Sequence, residues 1–251
     1  MYAIGLGENK DEILKAVEKL EEEGIDIELI RDPKRLVDKL IRGEIEGAVR
    51  GSLPSSKVIP YLKSKIGKFY RTSILKNPFT GDIFLLSPVG IDDISEEEEE
   101  RVKDKIKIIN LASNFLRSVG IEPKVALLSG GRLGDLGRSK TVDRTILEAE
   151  LVLNHIKKKN KNLEIDHRGI LIEEYLKEGY NIIIPMDGIS GNLIFRCLAL
   201  VCRVSGCGAI ILSEKNVKFI DTSRNADWRR YYNAIKFLHD LNVKNGKLTK
   251  Y

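Results

Sequence analysis

The chain has 251 residues, 42% apolar and 31% charged, the balance of a globular protein with room for one large domain or two closely packed lobes. Its net charge of +5 comes from lysines interleaved with glutamates rather than from a basic block with aromatics, which argues against nucleic acid as a partner. No apolar run approaches the ~20 residues of a membrane span, and the N-terminus lacks the regions of a signal peptide, so a cytoplasmic protein with no membrane partner is expected.

In chain order, the apolar run from Tyr2 to Leu6 predicts a strand ending at Gly7, and Ile13, Leu14, Val17 and Leu20 share one face of a helix. A strand to Ile30 is followed by Asp32-Pro33, an N-cap with proline at N1, opening a helix through Ile41. Glu46 to Arg50 reads as a strand, Ser55 to Ile66 as a helix, and Phe69–Leu75 and Ile83–Leu86 as strands. Ser95 and Glu98 form a capping-box pattern before a long helix to Ser118, whose acidic start at Glu96–Glu100 suits the helix dipole. Then come a strand at Lys124–Leu128, a glycine-rich loop, a helix from about Val142 to Lys157 and a short helix at Ile170–Lys177. Ile182–Ile184 predicts a strand, and Gly191-Asn192 the start of an apolar helix that continues through Leu193–Val204. A hairpin at Ala209–Leu212 and Val217–Ile220 precedes a final helix at Asp227–Leu241. The basic block Lys157–Lys161 reads as a solvated helix end, and Trp228-Arg229-Arg230 as a helix face.

Strands alternating with helices predict an α/β fold with a mostly parallel sheet, whose ligands bind beyond the carboxyl ends of strands. Three loops occupy such positions, and each leads into a helix: Arg50–Ser56, Ser129–Ser139 and Asp187–Arg196. Glycine admits close backbone approach, serine hydroxyls cap helices or bond phosphate oxygens, and arginine matches phosphate or carboxylate with a planar fork. The candidate substrate- and phosphate-binding residues are therefore Arg50, Ser52, Ser55, Ser56, Ser129, Gly130, Arg132, Arg138, Ser190, Gly191, Asn192 and Arg196. Any one of these loops could be ordinary capping chemistry. Neither a Walker P-loop nor a strand followed by GxGxxG is present. Cys197, Cys202 and Cys207 form no CxxC pair, and Cys197 and Cys202, in the apolar helix, read as buried inert thiols. His155, His167 and His239 lack metal-ligand spacing, so no metal site is expected.

The run Gly120-Ile121-Glu122-Pro123-Lys124-Val125-Ala126-Leu127-Leu128-Ser129 resembles a segment of the phosphate acetyl- and butyryltransferases. Pro185–Asn192 with Arg196 resembles the Gly-Asn helix start of that superfamily, and Gly47–Ser56 is similar to its Gly-Ala…Ser/Thr-Thr loop. Over nearly the whole chain, Val49–Ser56, Ala126–Arg138 and Asp187–Arg196 resemble the VRGSLPSS, ALLSGGRxGDxGR and DGISGNLIFR set of the MtxX family, or methanogen marker protein 4, labelled as methyltransferases.

The resemblance implies a two-lobed three-layer αβα fold, phosphate acetyl/butyryltransferase-like and of the isocitrate/isopropylmalate dehydrogenase type. Lobe one would comprise 1–65 and 193–251, lobe two 66–192, with the substrate cleft between them. It further implies a transferase of methanogenic archaea, a methyltransferase or an acyltransferase moving a group between CoA and phosphate, acting on a small anionic phosphate-bearing substrate. The cofactor is left open between a methyl donor and a CoA-type ligand, and the related enzymes imply a homodimer. The Gly-Pro…Asp segment of the acyltransferases is replaced here by Ile165–Glu173, with Ile172 or Glu173 where their aspartate falls. The candidate catalytic bases are His167, Glu173 and Asp187, with Asp166 beside them; His167 has the most useful intrinsic pKa, and Asp187 could instead be a helix cap. A non-catalytic binding protein on the same scaffold is the competing class.

Overall fold

The computed structural model describes residues 1–243; positions 244–251, assigned to lobe one above, lie outside the described residues. The chain divides into two compact units, with the breaks after Ile74 and after Val204. Both fall downstream of the lobe boundaries read from the sequence, so the helix after Asp187 belongs with the second unit.

Unit 1 holds β1 (Tyr2–Gly5), α1 (Lys10–Glu22), β2 (Ile27–Ile30), α2 (Pro33–Ile41), β3 (Ala48–Val49) and α3 (Ser55–Ile66). It also holds most of β4 (Tyr70–Lys76), then β9 (Gly206–Leu212), β10 (Phe219–Asp221) and α8 (Trp228–Val243). Its strand order is β2-β1-β3-β10-β9-β4. β1 runs parallel to β2 and β3, and β10 runs parallel to β3. Ile220 opposite Ile210 makes the predicted hairpin, the antiparallel pair β9–β10. Because β1→β2 and β2→β3 step in opposite directions, right-handed crossovers put α1 and α2 on opposite faces. Accordingly α1 packs against α8, and α2 against α3. Leu36, Val37, Val58 and Leu62 fill the core beneath the second pair with Ala48 and Phe219.

Unit 2 holds β5 (Ile83–Leu86), α4 (Glu98–Ser118), β6 (Lys124–Leu127), α5 (Lys140–Lys159), β7 (Glu164–His167), α6 (Ile172–Lys177), β8 (Ile182–Ile184) and α7 (Gly188–Arg196). Its strands are all parallel, in the order β5-β8-β6-β7. Both β5→β6 and β6→β7 step toward β7, so α4 and α5 share a face and pack on each other.

Four local features differ from the sequence reading. β7 was not anticipated: only Ile165 in its EIDH sequence is apolar, and an edge strand needs no continuous apolar run. The Ser95–Glu98 capping box does not form; Glu97 is the N-cap, and the Ser95 hydroxyl instead accepts the Glu97 N–H at 3.1 Å. α7 starts a turn earlier than Gly191, at Gly188, because Asp187 caps it. Beyond Arg196 the helix widens into a π-turn, Cys197–Val201, closed by Cys202 N–H to Cys197 O at 2.9 Å. That turn leaves Cys197 and Cys202 exposed rather than buried. No helix among the described residues is long and apolar enough to cross a membrane.

Candidate functional site

In unit 2 the register pairs Leu127 with His167, the last residues of β6 and β7. The chain beyond β6 therefore leaves the sheet beside His167, and Ser129 lies within reach of that ring. His167 Nε2 is 2.9 Å from Ser129 Oγ, and His167 Nδ1 is 2.6 Å from Glu150 Oε1 on α5. A carboxylate only accepts, so Nδ1 carries a proton. The neutral ring then presents a bare Nε2 to the Ser129 hydroxyl. The hydroxyl has a second acceptor as well, Gly131 O at 3.0 Å. Ser129 and the His167 side chain are fully buried, whereas Glu150 is 40% exposed at the outer end of this hydrogen-bonded chain.

The loop after Ser129 is held from both sides. Gly130 N–H donates to Thr145 Oγ1 at 2.9 Å, and Thr145 donates to Val142 O at 2.8 Å. Gly169, at φ 82°, brings the β7–α6 turn so close to the Gly131 carbonyl that a Cβ there would overlap it. Further along, Arg132 N–H and the Arg138 guanidinium both bond Asp135, holding its carboxyl below the usual range. Arg132 and Arg138 are exposed. Asp166 is occupied by Arg168, whose guanidinium also bonds Glu178; the two carboxylates, Glu178 foremost, push Arg168 above its ordinary value. Glu173 stands exposed in the first turn of α6 and shares no hydrogen bond with the Ser129–His167–Glu150 chain.

At the third loop Asp187 and Ser190 cap α7 reciprocally: Asp187 Oδ1 accepts Ser190 N–H at 2.7 Å, and Ser190 Oγ accepts Asp187 N–H at 3.1 Å. Asn192 donates to Val89 O at 3.0 Å, and Cβ atoms on Gly188 or Gly191 would collide with Gly90 O and Pro88 O. These glycines therefore seat the helix start against the 88–90 segment. Arg196 is exposed in the last turn. Between α4 and α5 lies a buried cluster: Glu148 takes Arg101 Nε at 2.7 Å and Lys105 Nζ at 2.5 Å. Burial opposes the charge on Glu148, but Arg101 and Lys105 outweigh it and hold the carboxyl below its ordinary range. Burial pulls Lys105 below the ordinary lysine value.

In unit 1 the Arg50–Ser56 loop is largely committed to itself. Arg50 is 5% exposed and donates to Asp221, to Leu53 O and to Thr222 O. Ser52 is buried and accepts Gly7 N–H at 2.9 Å, while Ser55 and Ser56, opening α3, are the accessible hydroxyls. Of the sequence-predicted residues, unit 2 thus joins Ser129 directly to His167 and joins Asp187 to Ser190. Glu150 escaped the sequence reading. It occupies a helix position next to the buried stripe Ile146, Ala149 and Leu153, a place where glutamate usually only solvates the helix. Among the described residues no group of three His, Cys, Asp or Glu side chains is placed to hold a metal ion.

No family model matches the chain. In fold it is similar to a branched-chain phosphotransacylase from Enterococcus faecalis, with a TM-score of 0.68 at 17% identity over 95% of this chain and 98% of that one. A phosphotransacetylase from Streptococcus pyogenes gives 0.66 at 14% identity, covering 97% and 94%. Isocitrate dehydrogenase from Methylococcus capsulatus gives 0.62 at 13% identity, covering 98% and 87%. At these identities the likeness is one of fold. In sequence, an "uncharacterized methyltransferase" of Methanocaldococcus jannaschii is 71% identical over 238 residues, 95% of this chain and 96% of that protein. A Methanosarcina barkeri protein named "putative methyltransferase mtx subunit X" is 39% identical over 217 residues, 84% of this chain and 75% of its own. With identity of this order across most of both sequences, the chain belongs to the MtxX family.

Proposed function

We propose that the protein is a group transferase, a methyltransferase in keeping with the names of its relatives, acting on a small anionic, phosphate-bearing substrate in unit 2. The observation that carries this reading is the Ser129–His167–Glu150 chain at the carboxyl ends of parallel strands, where α/β folds place their chemistry. The Gly130–Gly131 turn with exposed Arg132 and Arg196 supplies the complement to an anion. His167, acting through the Ser129 hydroxyl, takes the proton of the acceptor, whether a thiol or an amine. Asp187 serves as the helix cap, and Glu173 is a surface carboxylate. The donor is a methyl donor or a CoA-type thioester. Thermal-shift titration with inorganic phosphate, nucleotides, CoA and methyl donors tests the reading; stabilisation by a phosphate compound, lost in Arg132→Ala and Arg196→Ala, is expected. No stabilisation by any of them would sink it.

A second reading, acyl transfer between a thiol and phosphate, is favoured by one specific feature. Serine, histidine and carboxylate in hydrogen-bonded sequence are the constellation acyl chemistry uses. Product formation from acyl phosphate and thiol, against none from methyl donors, would select it. A binding protein without turnover would show ligand stabilisation and no product from either panel.

We further propose a homodimer. Ile189, Leu193, Leu200 and Val201 stand exposed along α7 and its π-turn, an apolar row suited to a second copy. Light scattering at micromolar concentration should give twice the chain mass, and Leu193→Glu should halve it; a monomeric wild type would remove the proposal.

A further inference from the structure

We propose that Ser129 is a nucleophile able to carry an acyl group, activated by His167 with Glu150 as the positioning residue, so that transfer in unit 2 passes through a covalent seryl ester. The inference deepens the acyl-transfer reading and rests on it. Three elements supply the three groups: the loop after β6 brings Ser129, the end of β7 brings His167, and the middle of α5 brings Glu150. The contacts of 2.9 and 2.6 Å fall in the range of a nucleophile–base pair and a base–orienter pair. With Nδ1–H fixed on Glu150, the imidazole is locked in the tautomer whose Nε2 accepts the seryl proton. The ring itself is buried between a hydroxyl and a carboxylate.

Proton counting adds a second point. The Ser129 hydroxyl has one proton and two acceptors in reach, Gly131 O and His167 Nε2. When the proton lies on Gly131 O, Nε2 has no proton to accept and Ser129 is not activated. When the neutral ring accepts the proton, the Gly131 carbonyl loses its donor, and the turn of two glycines loses one of its ties. Activation of the nucleophile and release of the Gly130–Gly131 turn from that tie are therefore the same proton movement. Substrates of the fitting class are small anionic acyl phosphates or thioesters, which Arg132 at the turn would meet first.

In the first half-reaction Oγ attacks the acyl carbon, the Oγ–C bond forms and the proton passes to Nε2. Collapse of the tetrahedral species breaks the C–S or C–O(phosphate) bond, and the leaving sulfur or phosphate oxygen takes the proton from His167 Nε2, so thiol or hydrogen phosphate departs and the ring is neutral again. In the second half-reaction thiol, hydrogen phosphate or water attacks the ester carbon and gives its proton to His167 Nε2; the C–Oγ bond then breaks and Nε2 returns that proton to Oγ.

The test is to incubate the intact protein with a fluorophosphonate and, separately, with p-nitrophenyl acetate, then locate adducts by peptide mass mapping. The expected result is one adduct on Ser129 and a burst of about one equivalent of p-nitrophenolate per chain. His167→Asn should slow labelling roughly 10²–10⁴-fold. Glu150→Gln should slow it and Glu150→Asp restore part of the rate, with unfolding midpoints near that of the wild type. Absence of an adduct on Ser129, or labelling of the His167 and Glu150 variants at the wild-type rate, overturns the inference. Phosphate and CoA thermal shifts on the same samples separate the two levels. Binding without labelling overturns the seryl ester alone, and labelling without binding overturns the anionic-substrate reading while supporting the nucleophile.

Discussion

The Arg50 guanidinium donates its Nε–H to Asp221, bringing the loop after β3 and the last residue of β10 together in the interior of unit 1. The same guanidinium closes on Leu53 O and Thr222 O, so its donors are spent on holding two loops. An arginine that reads as an anion clamp in sequence is thus a strut.

Arg50→Ala should therefore destabilise the protein by about 3–5 kcal/mol, because it strands a largely buried Asp221 carboxylate. Arg196→Ala, at an exposed position, should change stability by about 0.5 kcal/mol or less and act instead on phosphate affinity. Urea unfolding alongside phosphate titration separates the two roles.

The Arg101–Glu148–Lys105 cluster makes an asymmetric prediction. Glu148→Gln leaves two buried cations without their anion and should cost about 3–5 kcal/mol. Lys105→Met removes a cation that burial already disfavours, and should be neutral or stabilising in urea unfolding.

The same cluster sets an acid limit. The Glu148 carboxyl is held below its unfolded value, so its contribution is complete above about pH 4.3 and is lost as pH falls through the lower folded value. The stability gap between wild type and Glu148→Gln should narrow over that acid window and stay constant above it. A gap unchanged down to the lowest pH at which the fold survives would refute the assignment.

Thiol reactivity should divide the cysteines. Cys197 and Cys202 are exposed on the π-turn, whereas Cys207 is buried and its thiol is pushed up to about 12 by burial. A disulfide reagent should modify Cys197 and Cys202 in the native protein and reach Cys207 only on unfolding.

Glycine replacements should discriminate as sharply. Gly188→Ala and Gly191→Ala force a methyl into Gly90 O and Pro88 O and should cost roughly 1–3 kcal/mol or more. Gly134→Ala, with open space around it, should fall within about 0.5 kcal/mol of wild type. Thermal unfolding of the three variants decides this.

Periodicity and capping chemistry made most of the elements legible. Asp32-Pro33 starts α2 in sequence and in space, because an N-cap and an N1 proline act within one turn. β7 was not legible, since an edge strand with one inward apolar residue carries almost no periodic signal. The π-turn was equally hidden, so a continuous apolar helix was expected where Cys197 and Cys202 are exposed. Within the candidate site, Ser129 and His167 could be nominated by residue type and loop position. Their link to Glu150 could not, because it depends on the β6–β7 register and on which face of α5 meets it.

By itself, then, the sequence determined the alternation of strands and helices, the loops at the strand ends and the family, all of which rest on local pattern. Only the tertiary structure decided which polar groups serve as struts and which gather at the candidate site. Arg50 went to Asp221, Asn192 to Val89 and Asp187 to the α7 cap, while Ser129, His167 and Glu150 were drawn together from three elements. The physical reason is that a buried donor or acceptor must find a partner, and which partner lies in reach is settled by packing across the chain rather than along it.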